Sequence, residues 1–482
     1  MVDIRPYIDG RAVASAADKF VDVINPSNGE VIYGLPVGHP DDVDRAVAAA
    51  RMATDDERWA NLDPGHRKEI LLRWAGLVRG QADQLDALDA EEMGKPVAER
   101  LFNAAASAEL LQFNAEAADK LRGDVFTSDA ASFVTSRGVP HGVVGAIVPW
   151  NFPTFNVLLK LGPALVAGNS VVLKPSELAS RSALRLVELA HEAGLPSGVL
   201  NLVTGLGETA GKVLACHRDV DMLSFTGSSR VGGLMLRYAG ESNLKTVLAE
   251  CGGKSPHLLF ADADLDAAIP AIAGFILSNA GQICSVGSRL IVDRSIEAEV
   301  AARLVDAIKV HRMGDARDPA ITLGPLASSR QRDRVRNYLS VARDGGAYVE
   351  TGENAQAFPA GSFFDPAIVR GVRPDAAIAQ EEVFGPVLVI LPFDGEREAL
   401  QIANGTRYGL NAIVWTRDLA RAFRVGRRIR STVQVNAIAP TGPGAGHAAS
   451  FEPAGLSGIG REGGIAGIES YMRKQVLWVN HG

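Results

Sequence analysis

Between Gly142 and Glu250, apolar runs alternate with segments of helical periodicity, and this alternation constrains the fold more than any other feature of the chain. Residues 143–148, 170–173, 199–203, 221–225 and 245–249 are short runs dominated by apolar residues, most of them continuous. Such runs suit strands buried on both faces, as in parallel sheets. Between them lie helical segments: one after Pro153, then 180–193, 207–215 and 228–238. Strand, helix, strand in this order predicts a parallel sheet covered by helices. The pattern restarts near Pro256. Strands are expected at 257–260, 289–292, 387–391 and 411–415, with helices near 264–279, 295–309, 328–343, 396–403 and 417–428. The fold class is therefore α/β, two doubly wound domains meeting near residue 250.

The flanks read differently. Residues 1–36 are short strands and turns, such as Phe20–Ile24 before Asn25-Pro26-Ser27-Asn28-Gly29. Helices follow: one opened by Asp41 and Asp42, one opened by Pro64, then 85–93 and 97–121. Residues 122–140 break the helical pattern with a hairpin, Val125–Thr127 and Ser132–Thr135. The segment Gln475–Val479 is a strand with no sequence neighbour to pair with. Both are candidate edge strands for subunit assembly, which predicts a homodimer or homotetramer.

Composition excludes several classes of function. A net charge of −7, with both signs mixed along the chain, leaves no basic patch for nucleic acid. Three cysteines in 482 residues do not make a disulfide framework and suit a reducing compartment. Met1–Pro6 has no apolar signal core, and no run of ~18 apolar residues suggests a membrane span. The expectation is a soluble, cytoplasmic protein. The nine histidines are scattered, none at zinc-ligand spacing, so no metal site is expected.

The chemistry-bearing segments sit at expected strand ends, where ligands bind in such sheets. Lys174-Pro175-Ser176-Glu177 either grips a ribose and a phosphate or is simply a helix-initiating turn. Thr226-Gly227-Ser228 opens a helix and lets backbone N–H groups approach a phosphate. In Pro149-Trp150-Asn151-Phe152-Pro153 two prolines stiffen a turn, so Asn151 is either a fixed oxyanion donor or a helix cap. Glu250, before Gly252-Gly253-Lys254, is a general base or a turn residue. Glu381-Glu382-Val383-Phe384 can hold a sugar and stack a ring, or end a helix. Cys284 lies among small residues, after the helix-like run Ala267–Ala280 and before the strand Arg289–Val292. It is a nucleophile or a small buried apolar residue.

Taken in order, Pro-Trp-Asn-Phe-Pro, Lys-Pro-Ser-Glu, Phe-Thr-Gly-Ser, Glu-x-Gly-Gly-Lys, Gly-Gln-x-Cys, Glu-Glu-x-Phe-Gly-Pro and Ser-Gly-x-Gly-Arg-Glu (Ser457–Glu462) resemble the aldehyde dehydrogenase superfamily over essentially the whole chain. The resemblance implies Cys284 as nucleophile, Asn151 as oxyanion donor and Glu250 as general base. It implies cofactor contacts at Trp150, Lys174, Glu177, Gly227, Ser228, Glu382 and Phe384. It also implies a substrate tunnel at Phe152, Phe155, Leu159, Ile283, Ser285 and Phe451. These tunnel residues are mostly apolar, without an arginine for a distal carboxylate, which favours medium aliphatic or aromatic aldehydes over semialdehydes. Glu177 would repel a 2′-phosphate, so NAD is expected over NADP. The implied domains are 1–121 with 141–251 for NAD, 252–465 for catalysis, and 122–140 with 466–482 for assembly.

Two alternatives stay open: a CoA-acylating dehydrogenase, against which Glu250 argues, and a non-catalytic protein on the same scaffold. The chain departs from the family pattern at Cys251, where an apolar residue is usual. It also departs at Ser450-Phe451-Glu452-Pro453, which follows a Gly/Ala-rich loop, Thr441–Ala449, expected near the substrate mouth.

Overall fold

The computed structural model describes residues 4–438 and 445–481. Its largest sheet runs, edge to edge, Arg11–Ala12, Tyr7–Ile8, Leu200–Leu202, Ser170–Lys174, Val143–Ile147, Met222–Thr226, Thr246–Glu250, Gly458–Ile459. The five strands from Leu200–Leu202 to Thr246–Glu250 are mutually parallel, as the apolar runs predict. Val143–Ile147, Ser170–Lys174 and Leu200–Leu202 are buried at every residue. The chain builds this sheet outward from Val143–Ile147, first to one side and then to the other. The strand order therefore reverses between Val143–Ile147 and Met222–Thr226, which opens a crevice at their carboxyl ends.

The second sheet runs Tyr348–Thr351, Ala367–Arg370, Val387–Phe393, Arg289–Asp293, Pro256–Leu259, Asn411–Trp415, Thr432–Val435, parallel except for the first strand. The chain crosses from one sheet to the other between Glu250 and Pro256. The hairpin and the unpaired strand of the sequence reading find each other. Asp124–Phe126, Ser132–Pro140 and Met472–Asn480 form a separate three-stranded antiparallel sheet, with Met472 opposite Pro140 and Asn480 opposite Ser132. It leaves Val125, Phe133, Val476, Leu477 and Trp478 exposed.

Among the helix boundaries that differ from expectation, two bear on the site. The helix expected over 97–121 spans only Ala104–Ala117, because Asn103 caps it, its side chain accepting from Ala106 N–H. The run expected to continue to Ala280 ends at Leu277. Asn279, Ala280 and Gly281 follow with φ of 45°, 51° and 70°. Three consecutive left-handed residues stop a right-handed helix. Among the described residues no helix is long and apolar enough to cross a membrane.

Candidate active site

The helix Pro153–Val166 is buried at all 14 positions, so everything attached to it is held from every side. Its amino end is the turn that carries Trp150 and Asn151. Asn151, 6% exposed, donates from Nδ2 to the Gln282 carbonyl at 2.9 Å. Its own backbone carbonyl accepts from Asn279 Nδ2 at 2.7 Å. Asn279 is thus tied to the Asn151 turn at the point where its backbone is left-handed. Such a conformation costs ~1–3 kcal/mol per residue and persists only where the surroundings hold it. The turn redirects the chain so that Ile283, Cys284 and Ser285 all line one cavity. Gly281 permits this geometry, since a Cβ there would overlap the Gly385 carbonyl. Gly253 does the same on the other side, against the carbonyl of Cys284.

The Cys284 thiol is half-buried. Burial, then the carboxylates of Glu382 and Glu250, push it up to about 12, so at neutral pH it rests protonated. Glu250 ends the strand Thr246–Glu250 and is 5% exposed, and its Oε1 has no hydrogen-bond partner. Burial and the neighbouring Glu462 carboxylate hold its carboxyl well above the usual range, opposed by the Lys160 ammonium. Lys160, fully buried, pairs with Glu462. In the sequence Lys160 is one polar position in an apolar helix and belongs to no motif. The only signal available was a buried cation, and burial is not visible in a single chain of letters.

Glu382 accepts the Gly253 N–H at 2.9 Å, and burial pushes its carboxyl up to about 7. Phe384 adopts φ 61° and meets Trp150 edge to face, ring centres 5.4 Å apart. Gln331 and Arg334 hold this segment by donating to the carbonyls of Phe384 and Glu382, both at 2.7 Å. Ser228 caps the 14-residue helix Ser229–Ser242, whose amino end faces the cavity. Lys174 and Glu177, 3.9 Å apart, lie at the end of the strand Ser170–Lys174, outside the cavity lining.

The cavity has a volume of about 400 Å³. Asn151, Glu250 and Cys284 line it, together with Trp150, Gly227, Ser228, Glu382 and Phe384. All six tunnel residues expected from the sequence also line it: Phe152, Phe155, Leu159, Ile283, Ser285 and Phe451. The structure adds Leu101, Phe102, Phe275 and Ile438, which belong to no motif. Phe102 packs its ring against Phe155 at 4.2 Å and Phe152 at 5.0 Å, from a backbone at φ 51°. Cys251 lines the cavity too, its sulfur packed beneath Gly232 and its thiol pushed up to about 12 by burial and Glu250. Of the loop expected near the substrate mouth, 441–444 lie outside the described residues. Ala445–Ala448 form a helical turn.

Residues 12–477 match the model of the aldehyde dehydrogenase family. The chain belongs to that family. It is 39% identical to the NADP/NAD-dependent aldehyde dehydrogenase PuuC of Escherichia coli (strain K12), over 99% of this chain and 96% of that one. It is 38% identical to phenylacetaldehyde dehydrogenase of Pseudomonas fluorescens, over 98% of this chain and 94% of that one. Among solved structures it superposes on the P. syringae indole-3-acetaldehyde dehydrogenase AldA, in complex with NAD+ and IAA, with a TM-score of 0.94. There the identity is 39% and the coverage 100% of this chain and 97% of that one. The aldehyde dehydrogenase fold thus accounts for both parallel sheets and the cavity between them.

Proposed function

We propose that this aldehyde dehydrogenase oxidises an aldehyde to a carboxylic acid through a thioester on Cys284, with NAD as the hydride acceptor. The observation that carries the reading is the convergence of one thiol, one fixed amide and one unpartnered carboxylate on a single cavity. The residues present fit a nicotinamide dinucleotide. Gly252 leaves a cradle that a Cβ would close onto the Glu382 carboxylate. The amino end of Ser229–Ser242 offers N–H groups to a phosphate. Glu382 and Phe384 would hold the nicotinamide ribose and ring, with Trp150 beside them. Lys174 and Glu177 would hold the adenosine ribose. When bound, the cofactor takes up the hydride.

The chain does the rest. The Cys284 thiol releases its proton to solvent at the cavity mouth, its sulfur adds to the carbonyl carbon, and the C=O electrons move to oxygen. The Asn151 amide and the Cys284 backbone N–H hold that oxyanion, each such donor worth ~3–4 kcal/mol. Loss of hydride leaves the acyl group on sulfur. Glu250 then takes a proton from water, hydroxide equivalents add to the thioester, and the carboxylic acid leaves as sulfur regains its proton. The apolar and aromatic tunnel supports a medium aliphatic or aromatic substrate, and Glu177 supports NAD over NADP. The two α/β parts divide the work, cofactor on the first and thiol on the second. The exposed apolar three-stranded sheet supports assembly into a dimer or tetramer. Replacement Cys284→Ala tests the core of the reading. Aldehyde-dependent NADH formation is expected to vanish while NAD still binds; unchanged oxidation would remove Cys284 from the mechanism.

A further inference from the structure

Rotating the side-chain amide of Asn151 by half a turn exchanges its oxygen and nitrogen with almost no change of shape. Only one of the two orientations offers an N–H to an oxyanion. What selects it is therefore part of the machinery. One selector is the Gln282 carbonyl, an acceptor only, which takes one N–H of Asn151 Nδ2 at 2.9 Å. The second selector is Asn156, one helical turn beyond Phe152 on the buried helix. Its Nδ2 donates to the Phe152 carbonyl at 3.0 Å, which fixes its own orientation. The same nitrogen donates to Asn151 Oδ1 at 3.3 Å. Both asparagines are 6% exposed, and both line the cavity. In the turned orientation, Asn151 would set oxygen against the Gln282 carbonyl and NH2 against the Asn156 NH2. Both contacts would be repulsive.

We infer that Asn156 is a positioning residue for the reaction: it locks the Asn151 amide so that its second N–H stays free for the oxyanion. This rests on the proposed role of Asn151. The chain of command starts at a backbone carbonyl, that of Phe152, and passes through one side-chain amide to another. Backbone carbonyls of a buried helix do not rotate, so the final N–H is set before any substrate arrives, which is the condition for electrostatic preorganisation.

The test is a double-mutant cycle in the full-length enzyme with NAD and an aromatic aldehyde. Asn156→Leu and Asn156→Ala both remove the donor, and each guards against the other failing to fold, with thermal denaturation as the check. Each is expected to lower kcat at least tenfold and kcat/KM by the same factor, since the lost interaction belongs to the transition state. In an Asn151→Ala background, the same substitutions are expected to change kcat less than twofold. Two outcomes would overturn the inference: equal losses in both backgrounds, or a raised aldehyde KM with kcat intact, which would make Asn156 only a wall of the tunnel. If Asn151→Ala alone leaves kcat unchanged, it is the oxyanion reading of Asn151 that fails, and the two failures are told apart by that single variant.

Discussion

Two phenylalanines with the same unusual backbone line the cavity. Phe384, φ 61°, stands on the polar wall with Glu382, Glu250 and the amino end of a long helix. Phe102, φ 51°, stands on the apolar wall with Phe152, Phe155 and Phe275. On the polar wall the Glu382–Phe384 segment is fixed through backbone: Gly253 N–H on Glu382, Gln331 and Arg334 on the adjoining carbonyls. On the apolar wall rings fix one another by edge and tilt. Hydrogen bonds demand one geometry, whereas ring packing accepts any partner of suitable volume. In the proposed function the first wall takes the cofactor, which is constant, and the second the aldehyde, which differs between related enzymes.

Removing the charge of the polar wall is the severest way to break this comparison. Glu250→Gln is expected to cut steady-state turnover by ~10²–10⁴-fold, the usual worth of a general base. Because the thiol remains, a first burst of about one NADH per site should survive in stopped-flow absorbance. A burst lost along with turnover would place Glu250 before thioester formation. On the apolar wall, Phe102→Ala should lower kcat/KM for aromatic aldehydes by roughly tenfold, the scale of one lost aromatic contact with its burial. Short aliphatic aldehydes should suffer less, and an equal loss for all would make Phe102 a support of the site rather than a selector.

A subtler effect concerns the thiol. Burial, then Glu382 and Glu250, raise its pKa, so it gains its charge only at high pH. Neutralising either carboxylate removes repulsion of the thiolate, and the pH at which Cys284 reacts with iodoacetamide should fall. Glu382→Gln should move it further than Glu250→Gln, because Glu382 exerts the larger effect. Neither should restore an ordinary thiol, since burial is the first cause. The smallest effect is expected at Glu177, which is partly exposed. There Glu177→Ala should narrow the preference for NAD over NADP several-fold in kcat/KM, leaving kcat with NAD nearly intact.

The same contrast explains what could be read from the sequence. The polar wall is made of strand ends, where function depends on a few residues consecutive in the chain. Pro149–Pro153, Thr226–Ser228 and Glu250–Lys254 therefore announced themselves. The parallel sheets were equally legible, because strands buried on both faces leave continuous apolar runs. The remaining cavity residues come from helices and connections, where an apolar letter means core almost everywhere. Phe102 and Phe275 carry nothing local to distinguish them from packing. Asn156 and Lys160 were concealed for the opposite reason: each is one polar letter in the helix Pro153–Val166, and a single letter does not reveal that it is buried. The run to Ala280 misleads because Asn279 and Ala280 adopt a left-handed conformation held by contacts with Asn151 and Gln282.

The small third sheet has a consequence in time rather than in space. Arg137 and Gln475, neighbours in it, are 338 residues apart in the chain. Synthesis delivers the hairpin Asp124–Pro140 long before the strand Met472–Asn480 that completes it. Through that interval Ser132–Pro140 offers nine residues of open backbone edge, with Phe133 exposed on it and Val125 exposed on the strand beside it. Such an edge can recruit any extended segment it meets. The nascent chain is therefore most vulnerable to misassembly while both α/β parts are still being made, and its last long strand is what ends that exposure.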